Sequence, residues 1–201
     1  MKLKNKIAAI TGGSAGIGRG IAEAYLAEGA KVTIMARNEE KAQTMLKELG
    51  AGDNLVFVQG DAINQSDIEG FINQTIAHFG NLDILVNNAG GSNDLQPLVD
   101  LTDEAFDHTM KWNVYSTFWA TRLAVRTMIA NKWGRVINIS STEGKHGKPV
   151  FTAYTAAKHA INGMTKSIAR EVGTEGVTVN SICPGLIITD IVKDNGPATA
   201  E

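Results

Sequence analysis

A tyrosine and a lysine lie four residues apart in the segment FTAYTAAKHAING, residues 151–163, with only threonine and alanine between them. Because residues i and i+4 share one face of an α-helix, Tyr154 and Lys158 would lie one turn apart. A free tyrosine has a pKa of about 10, which is too high for an efficient base near neutral pH. A neighbouring ammonium favours the phenolate, so the spacing predicts a lysine that lowers the pKa of a catalytic tyrosine. The alternative is a chance pair on a solvated helix surface.

The order of apolar runs along the chain predicts the scaffold around this pair. The runs show no alternation with polar residues, which indicates parallel strands buried on both faces, and they cover residues 6–10, 31–36, 54–59, 82–87, 134–140 and 177–183. Helical patterns separate them. Residues 1–201 are therefore predicted to form a single α/β domain, a Rossmann-type doubly wound parallel sheet flanked by helices on both faces. Ligands bind at the carboxyl ends of the strands in such sheets.

Three helices have recognisable boundaries in the sequence. Ser66 and Glu69 form a capping-box pattern at the start of one helix, and Gly80 offers its C-terminal stop. Two acidic residues after Thr102 predict the start of a second. The third is predicted from about Thr152 to Val172, which places the tyrosine–lysine pair in its first two turns.

The first strand leads into a glycine-rich segment, TGGSAGIGRG, residues 11–20. Gly12, Gly16 and Gly18 lie at the predicted turn from strand to helix, where the lack of a side chain permits close approach to a pyrophosphate. The amide groups and dipole at the start of the following helix favour phosphate. This pattern predicts nucleotide binding, with a purely structural turn as the alternative.

Composition excludes several classes of function. The formal net charge of −2 gives no reason to expect a nucleic-acid partner, and no apolar run approaches the roughly 20 residues of a membrane span. Cys183 is the single cysteine, and none of the four histidines shows metal-ligand spacing. We therefore expect a cytoplasmic protein without a metal site, a membrane partner or a nucleic-acid partner.

Six motifs, in this order, resemble those of the short-chain dehydrogenase/reductase family: T-G-x-x-x-G-I-G, NNAG at 87–90, Asn113 in WNVYS, NISS at 138–141, Y-x-x-x-K at 154–158 and PG at 184–185. The match runs from residue 6 to about residue 190. It looks most like the branch that contains 3-oxoacyl-acyl-carrier-protein reductases and many ketone reductases. The resemblance implies an NAD(P)H-dependent oxidoreductase that transfers hydride between a nicotinamide and a ketone or secondary alcohol, with Tyr154 as general acid and base.

The resemblance also implies the other reacting groups. Ser141, at the end of the fifth predicted strand, would stabilise charge on the substrate oxygen, and its neighbour Ser140 is the less favoured alternative. Asn113 lies inside a long helical stretch, about 105–131, where asparagine is unfavourable. The matching family residue bends the helix and holds a water that relays protons to the lysine. Lys158 would bind the nicotinamide ribose as well as tune the tyrosine.

The implied cofactor contacts follow the strand ends. They are Gly12, Ser14, Gly16, Ile17 and Gly18 in the glycine-rich segment, Arg37, Asp61 and Ala62 near the adenosine, Asn88, Ala89 and Gly90 near the second ribose, and Tyr154, Lys158, Ile187 and Thr189 near the nicotinamide. NAD-preferring relatives carry an acid after the second strand, where this chain has Ala36, Arg37 and Asn38. Arg37 can pair with a 2′-phosphate, so we expect NADP(H) rather than NAD.

Relatives continue beyond the position of Glu201, so we expect a substrate-covering segment and a last strand to be missing from this chain. Trp112, Phe118 and Trp119 crowd the long helix, and some of them are expected to lie in the core. The family resemblance implies that the excess packs against another subunit, since relatives pair through this helix and the tyrosine helix, so we expect a homo-oligomer, dimer or tetramer.

Two alternatives to a general ketone reductase stay open. Lys145, His146 and Lys148 form a basic cluster beside Ser141, which would suit an anionic or phosphopantetheine-bearing substrate such as a 3-oxoacyl thioester, although a solvated charged loop explains the cluster equally well. A non-catalytic dinucleotide-binding regulator would normally lack the tyrosine or the lysine, and both are present.

Overall fold

The computed structural model describes residues 1–92 and 95–189, in which strands and α-helices alternate. The strands are β1 (Ile7–Thr11), β2 (Lys31–Ala36), β3 (Leu55–Gln59), β4 (Ile84–Asn87), β5 (Gly134–Ile139) and β6 (Val177–Ile182). The helices are α1 (Gly16–Ala27), α2 (Glu39–Leu49), α3 (Gln65–Phe79), α4 (Asp103–Met110), α5 (Ser116–Ala130) and α6 (Thr152–Val172). Short 3₁₀ turns lie at Gly52–Asn54, Thr142–Gly144 and Gly173–Glu175.

The six strands form one parallel sheet in the order β3-β2-β1-β4-β5-β6. The first three strands extend the sheet in one direction from β1, and the next three extend it in the other. This confirms the predicted doubly wound Rossmann-type sheet. The reversal puts a crevice at the carboxyl ends of β1 and β4, the place where such sheets bind ligands.

Helices cover both faces of the sheet, and each face has its own apolar core. One core packs α1 and α2 against residues such as Ile10, Ile34 and Val86. The other packs α3, α5 and the end of α6 against the opposite face and contains Phe71 and Met128. The strands are buried on both sides for this reason, which explains their continuous apolar runs.

The helix boundaries follow the sequence in two cases and differ in a third. Helix α6 spans Thr152–Val172 as predicted, and the Thr102 hydroxyl accepts a hydrogen bond from the amide of Ala105 at the start of α4. The predicted capping box of α3 is wrong, because the helix begins at Gln65 with Asn64 as its N-cap.

Competing side-chain contacts account for the missing capping box. Glu69 accepts a hydrogen bond from Gln65 at 2.7 Å and so does not reach back to the helix start. Asp67 accepts from the amide of Asp61 at 2.9 Å, which ties the first turn of α3 to the end of β3. Gly80 ends the helix as expected, in the left-handed conformation.

The long helical stretch contains an irregular turn. Helices α4 and α5 run into each other through a π-helical turn at Lys111–Tyr115. Within it the Asn113 side chain donates to the carbonyl of Thr109 at 2.9 Å. A π-turn adds one residue to a helical turn and so changes the direction of the side chains it carries.

Residues 190–201, where a substrate-covering segment was predicted to begin, lie outside the described part of the chain. Among the described helices, none combines the length and the apolar character that crossing a bilayer requires.

Candidate active site

A cleft of about 540 Å³ opens at the carboxyl edge of the sheet, a volume typical of small-molecule and cofactor sites. It brings together most of the residues that the sequence singled out. Lining it are Gly12, Ser14, Gly16, Ile17, Arg37, Asp61, Ala62, Asn88, Ala89, Gly90, Ser141, Tyr154, Lys158, Ile187 and Thr189.

Two predicted site residues do not line the cleft but support its wall from behind. Gly18 is buried under the glycine-rich segment, where a Cβ would overlap the carbonyl oxygen of Gly12 and lie 2.6 Å from Nδ2 of Asn88. Asn113 has no exposed surface. Its side chain therefore acts through the residues that it holds.

Asn113 holds the loop after β4 by two hydrogen bonds. Its Oδ1 accepts from the amide of Gly91 at 3.1 Å, and its Nδ2 donates to the carbonyl of the same residue at 2.9 Å. The π-turn makes this possible, because it directs Asn113 at the sheet edge. The loop that would face the nicotinamide is thereby attached to the junction of α4 and α5.

Thr11 holds the same loop from the other side. Its hydroxyl oxygen accepts from the amides of Asn88 and Ala89, both at 3.0 Å. Asn88 in return donates through Nδ2 to the carbonyls of Thr11 and Gly12, also at 3.0 Å. The ends of β1 and β4 thus form one rigid base for the cleft, a role of Thr11 that the sequence analysis missed.

The glycine-rich segment suits a phosphate. Gly12 and Gly16 adopt φ values of 65° and 53°, in the left-handed region that favours glycine. Helix α1 starts without a side-chain cap and without an acidic residue in its first turn. Its first amide groups are therefore available to an anion, and the helix dipole is uncompensated. The residues present fit a bound dinucleotide.

Ser141, Tyr154 and Lys158 converge at the other end of the cleft. Lys158 is 3% exposed, and its Nζ donates to the carbonyl of Ile139 at 3.0 Å and lies 5.3 Å from the ring centroid of Tyr154. The Ser141 hydroxyl oxygen accepts from the amide of Glu143 at 3.2 Å, which leaves its proton free to donate. Ser140 instead donates to the carbonyl of Lys158 at 3.2 Å and so holds α6 against β5.

The electrostatics differ from the sequence-based expectation that Lys158 lowers the pKa of Tyr154. In this structure burial raises the pKa of Tyr154, and the carboxylate of Glu143 adds to that rise, while a hydrogen bond with Ser141 opposes both. Burial also lowers the pKa of Lys158 to about 8, against a smaller opposing effect of Cys183. The prediction was wrong because the lysine's direct partner is a main-chain carbonyl, and desolvation dominates both groups.

A buried chain of side chains lies beneath these groups. Asn87 donates to Asn138 at 2.8 Å, Asn138 donates to Thr165 at 2.9 Å, and Asn87 also donates to Thr121 at 2.9 Å. These residues belong to β4, β5, α5 and α6. The chain fixes the helix that carries the tyrosine and the lysine relative to the strands that carry the loop.

The opposite end of the cleft carries Arg37, Asp61 and Trp112. The guanidinium of Arg37 lies 4.0 Å from the carboxylate of Asp61 and 5.7 Å from the ring centroid of Trp112. Trp112 was assigned from the sequence to the core or to a subunit contact. The structure agrees in part, since Trp112 is partly buried and packs against the core, and it adds that the indole also lines the cleft wall.

The predicted basic cluster divides into two parts. Lys148 lines the cleft, with its ammonium 5.2 Å from the ring centroid of Phe151, whereas Lys145 and His146 are exposed and do not line it. Glu143 also faces the cleft. Over residues 1–92 and 95–189, no group of three or more histidine, cysteine or acidic side chains could hold a metal ion.

Comparison with known proteins agrees with this arrangement. The family model for short chain dehydrogenases matches residues 6–200. The chain is 37% identical to the D-beta-hydroxybutyrate dehydrogenase of Cupriavidus necator, over 99% of this chain and 77% of that protein. It is 40% identical to the 3-oxoacyl-acyl-carrier-protein reductase FabG of Vibrio cholerae, over 96% and 78%. A short-chain dehydrogenase/reductase structure from Mycobacterium ulcerans superposes with a TM-score of 0.92 at 32% identity, over 96% of this chain and 72% of that one.

Proposed function

The chain belongs to the short-chain dehydrogenase family, and from that membership we propose that Tyr154, Ser141 and Lys158 catalyse its reaction with NADP(H) bound along the cleft. The protein is an oxidoreductase that acts on ketones and secondary alcohols. The observation that carries the assignment of residues is the meeting of a partly buried phenol, a serine hydroxyl and a buried ammonium at the carboxyl edge of the sheet.

The bound nicotinamide supplies or accepts the hydride. Tyr154 delivers a proton to the substrate oxygen during reduction and removes it during oxidation. Its raised pKa keeps the phenol protonated at neutral pH, which is the form needed for reduction. Ser141 donates a hydrogen bond to the same oxygen and stabilises the negative charge that develops there. Lys158, whose Nζ lies 5.3 Å from the ring centroid of Tyr154, would bind the hydroxyls of the nicotinamide ribose and so hold the cofactor beside the phenol.

The choice of NADP(H) rests on Arg37. Its side chain is 65% exposed at the end of β2, and its nearest carboxylate is 4.0 Å away, so it is free to turn toward a 2′-phosphate. Ala36 stands where an acid would bind two free ribose hydroxyls. We therefore expect a higher kcat/KM with NADPH than with NADH.

The decisive experiment mixes the purified protein with NADPH or NADH and a panel of ketones, 3-oxoacyl thioesters and secondary alcohols, and follows the absorbance of the reduced nicotinamide. Turnover with a preference for NADPH supports the proposal. A clear preference for NADH contradicts the role of Arg37, and tight binding without any turnover contradicts the role of Tyr154 and Ser141.

A 3-oxoacyl thioester is the second candidate substrate, favoured by the position of Lys148 on the cleft wall. An ammonium there could attract the phosphate of a phosphopantetheine arm. The Lys148→Ala variant should then raise KM for acyl thioesters and leave KM for small neutral ketones unchanged. Lys145→Ala is the matched control, since Lys145 is exposed outside the cleft. An unchanged KM for thioesters would exclude this role.

We also propose that the protein works in the cytoplasm as a homo-oligomer. Tyr115 and Phe118 lie on one exposed stretch of the helix pair, at 49% and 39% exposure, beside the half-buried Trp119. A second copy of the chain would cover these aromatic side chains. Sedimentation of the wild type and of Phe118→Glu would test this, because the charged variant should shift toward the monomer.

A further inference from the structure

An acidic side chain borders the proposed reacting groups, although the proposed hydride transfer gives it no role. Among the described residues two acidic side chains line the cleft, Asp61 at the end with Arg37 and Glu143 at the end with Tyr154. The backbone amide of Glu143 donates to the hydroxyl oxygen of Ser141 at 3.2 Å. A substrate oxygen that is hydrogen-bonded to this hydroxyl would therefore lie within reach of the Glu143 side chain.

The 3₁₀ turn that carries Glu143 is held from two sides. On one side the side chain of Asn162, on α6, donates to the carbonyl of Gly144 at 2.9 Å. A Cβ on Gly144 would lie 2.5 Å from Nδ2 of Asn162, so the turn and the helix are in close contact. On the other side the amide of Thr142 donates to the carbonyl of Pro184 at 2.9 Å. The fold therefore fixes the backbone from which the Glu143 side chain enters the cleft.

The carboxylate of Glu143 is partly buried and has no protein partner among the described residues. Over residues 1–92 and 95–189 its side chain takes part in none of the ion pairs or hydrogen bonds. Lys148, which lines the same cleft, has its ammonium over the ring of Phe151 instead. An ionised carboxylate accepts several hydrogen bonds, and it loses water when a substrate fills the cleft. A donor group on the substrate would replace that water.

The negative charge of Glu143 already acts on the proposed acid–base group. Burial raises the pKa of Tyr154 most, a hydrogen bond with Ser141 opposes that rise, and the carboxylate of Glu143 raises the pKa further. A carboxylate that acts on the phenol also acts on a substrate held by it. A positive group beside the reacting carbonyl would be attracted, and a negative group there would be repelled.

We propose that Glu143 is a specificity-determining residue, which selects ketones that carry a hydrogen-bond donor, best an ammonium group, on the carbon next to the carbonyl. This inference rests on the proposed binding of the ketone oxygen by Ser141 and Tyr154, and it names the substrate class of that site. The Glu143 carboxylate accepts from the ammonium while the ketone oxygen accepts from the two hydroxyls. A ketone with a carboxylate at the same position meets a like charge and is disfavoured.

The test compares four ketones of the form CH₃–CO–CH₂–X, in which X is an ammonium, a hydroxyl, a methyl or a carboxylate group. They are aminoacetone, hydroxyacetone, butanone and acetoacetate. Steady-state kinetics at neutral pH, with the reduced cofactor that gives the faster turnover, measures kcat/KM for each ketone. Every value is divided by that of butanone, which removes any effect of a variant on the shared chemistry. In the wild type this ratio should exceed one for aminoacetone and hydroxyacetone and should lie below one for acetoacetate.

Glu143→Gln keeps the size of the side chain and removes its charge. Since a charge-assisted hydrogen bond is worth roughly a tenfold change or more, the aminoacetone ratio should fall by about tenfold or more in this variant. The acetoacetate ratio should rise by about tenfold, because the like charge is gone. Glu171→Gln, at an exposed position in the last turn of α6, is the matched control. It changes the net charge equally and should leave all the ratios unchanged.

A binding measurement separates this inference from the proposed catalysis. In the complex with oxidised cofactor the four ketones bind but cannot be reduced, so titration followed by NMR gives Kd for each. The wild type should bind aminoacetone more tightly than butanone and acetoacetate more weakly, and Glu143→Gln should lose this order.

The proposal fails if the wild type favours aminoacetone over butanone by less than about threefold in both measurements. It also fails if Glu143→Gln and Glu171→Gln change the ratios equally. A wild type that binds the four ketones in the expected order, yet reduces none of them, would overturn the proposed catalytic roles and still support the role of Glu143.

Discussion

The two ends of the cleft hold their polar side chains in different ways. At the end with Tyr154, which we propose as the reacting end, Asn113, Ser141 and Lys158 are each hydrogen-bonded to main-chain groups, and Asn113 and Lys158 are almost completely buried. At the other end, which we propose as the adenosine end, Arg37 is mostly exposed, and its ion pair with Asp61 spans 4.0 Å. One end is therefore fixed by the fold, whereas the other is a surface arrangement.

This difference predicts which substitutions lower the stability of the protein most. A buried group that loses its hydrogen-bond partner costs about 1–3 kcal/mol, whereas exposed ion pairs contribute roughly 0–1 kcal/mol. Substitutions at the reacting end should therefore change both activity and stability. Substitutions at the adenosine end should change the choice of cofactor and little else.

The largest expected effect is on turnover, in Tyr154→Phe. The variant keeps the ring but removes the proton donor, and general acid–base catalysis contributes about 10²–10⁴-fold, so kcat should fall by that factor while Kd for NADPH changes little. Steady-state kinetics and cofactor titration measure the two quantities. Tyr25→Phe, on α1, serves as the control and should keep full activity. A residual rate within tenfold of the wild type would contradict the assignment of Tyr154.

Next is the stability of Asn113→Ala. The change leaves the amide and the carbonyl of Gly91 without their partner inside the protein, so unfolding by urea should show a loss of about 2–4 kcal/mol. Asn73→Ala, at an exposed position of α3, should change the free energy of unfolding by less than about 0.5 kcal/mol. An equal loss of unfolding free energy in both variants would mean that the two hydrogen bonds from Asn113 to Gly91 do not stabilise the loop.

A smaller effect is expected on the pH dependence of the free energy of unfolding. Burial gives Lys158 a pKa of about 8 in the folded protein against 10.5 for a free side chain, so between these values the unfolded chain binds more protons than the native one. The free energy of unfolding should therefore rise with pH, by about 2 kcal/mol from pH 8 to pH 10. Above pH 10 the raised pKa of Tyr154 acts in the opposite direction. In Lys158→Met the rise between pH 8 and pH 10 should be absent, and a rise of equal size there would refute this origin.

The smallest expected effect on stability is that of Arg37→Ala. Its exposed ion pair should contribute less than about 1 kcal/mol, so the urea midpoint should barely move. Loss of a charge-assisted bond to the 2′-phosphate should nevertheless lower the NADPH to NADH ratio of kcat/KM by about tenfold or more. Arg126→Ala, exposed on α5, should leave that ratio unchanged. A large fall in the stability of Arg37→Ala would contradict the conclusion that this end of the cleft is a surface arrangement.

The sequence predicted the scaffold well because the relevant signals are local. Strands that are buried on both faces have continuous apolar runs in the sequence. All six strands begin and end within two residues of their predicted boundaries. The glycine-rich segment and the tyrosine–lysine spacing predicted the two ends of the cleft for the same reason. Helix α6 kept its predicted limits, and the 3₁₀ turn that follows it is capped at its end by Gly176, which adopts a left-handed φ of 80°.

The features that the sequence did not predict depend on three-dimensional contacts, which the spacing of residues along the chain does not reveal. The π-turn turns Trp112 toward the cleft and Asn113 toward Gly91, and neither direction follows from a regular helical period. The pKa of Tyr154 depends on how much water the surrounding residues exclude, which reverses the shift expected from the charge of Lys158 alone. Asp67 accepts a hydrogen bond from the amide of Asp61 in the loop after β3, a contact that the capping-box pattern does not reveal.

The position of β1 between β2 and β4 has a consequence for synthesis. During translation β1 can pair with β2 once β2 has been made, but its other edge waits for β4, which a ribosome adding 5–20 residues per second completes roughly 3 to 10 seconds after β2. Throughout that interval the nascent chain has an unpaired strand edge next to the glycine-rich segment, residues 11–20. A nascent chain stalled before Ile84 should therefore be sensitive to protease and fail to bind nucleotide, and one stalled well beyond Asn88 should begin to resist cleavage.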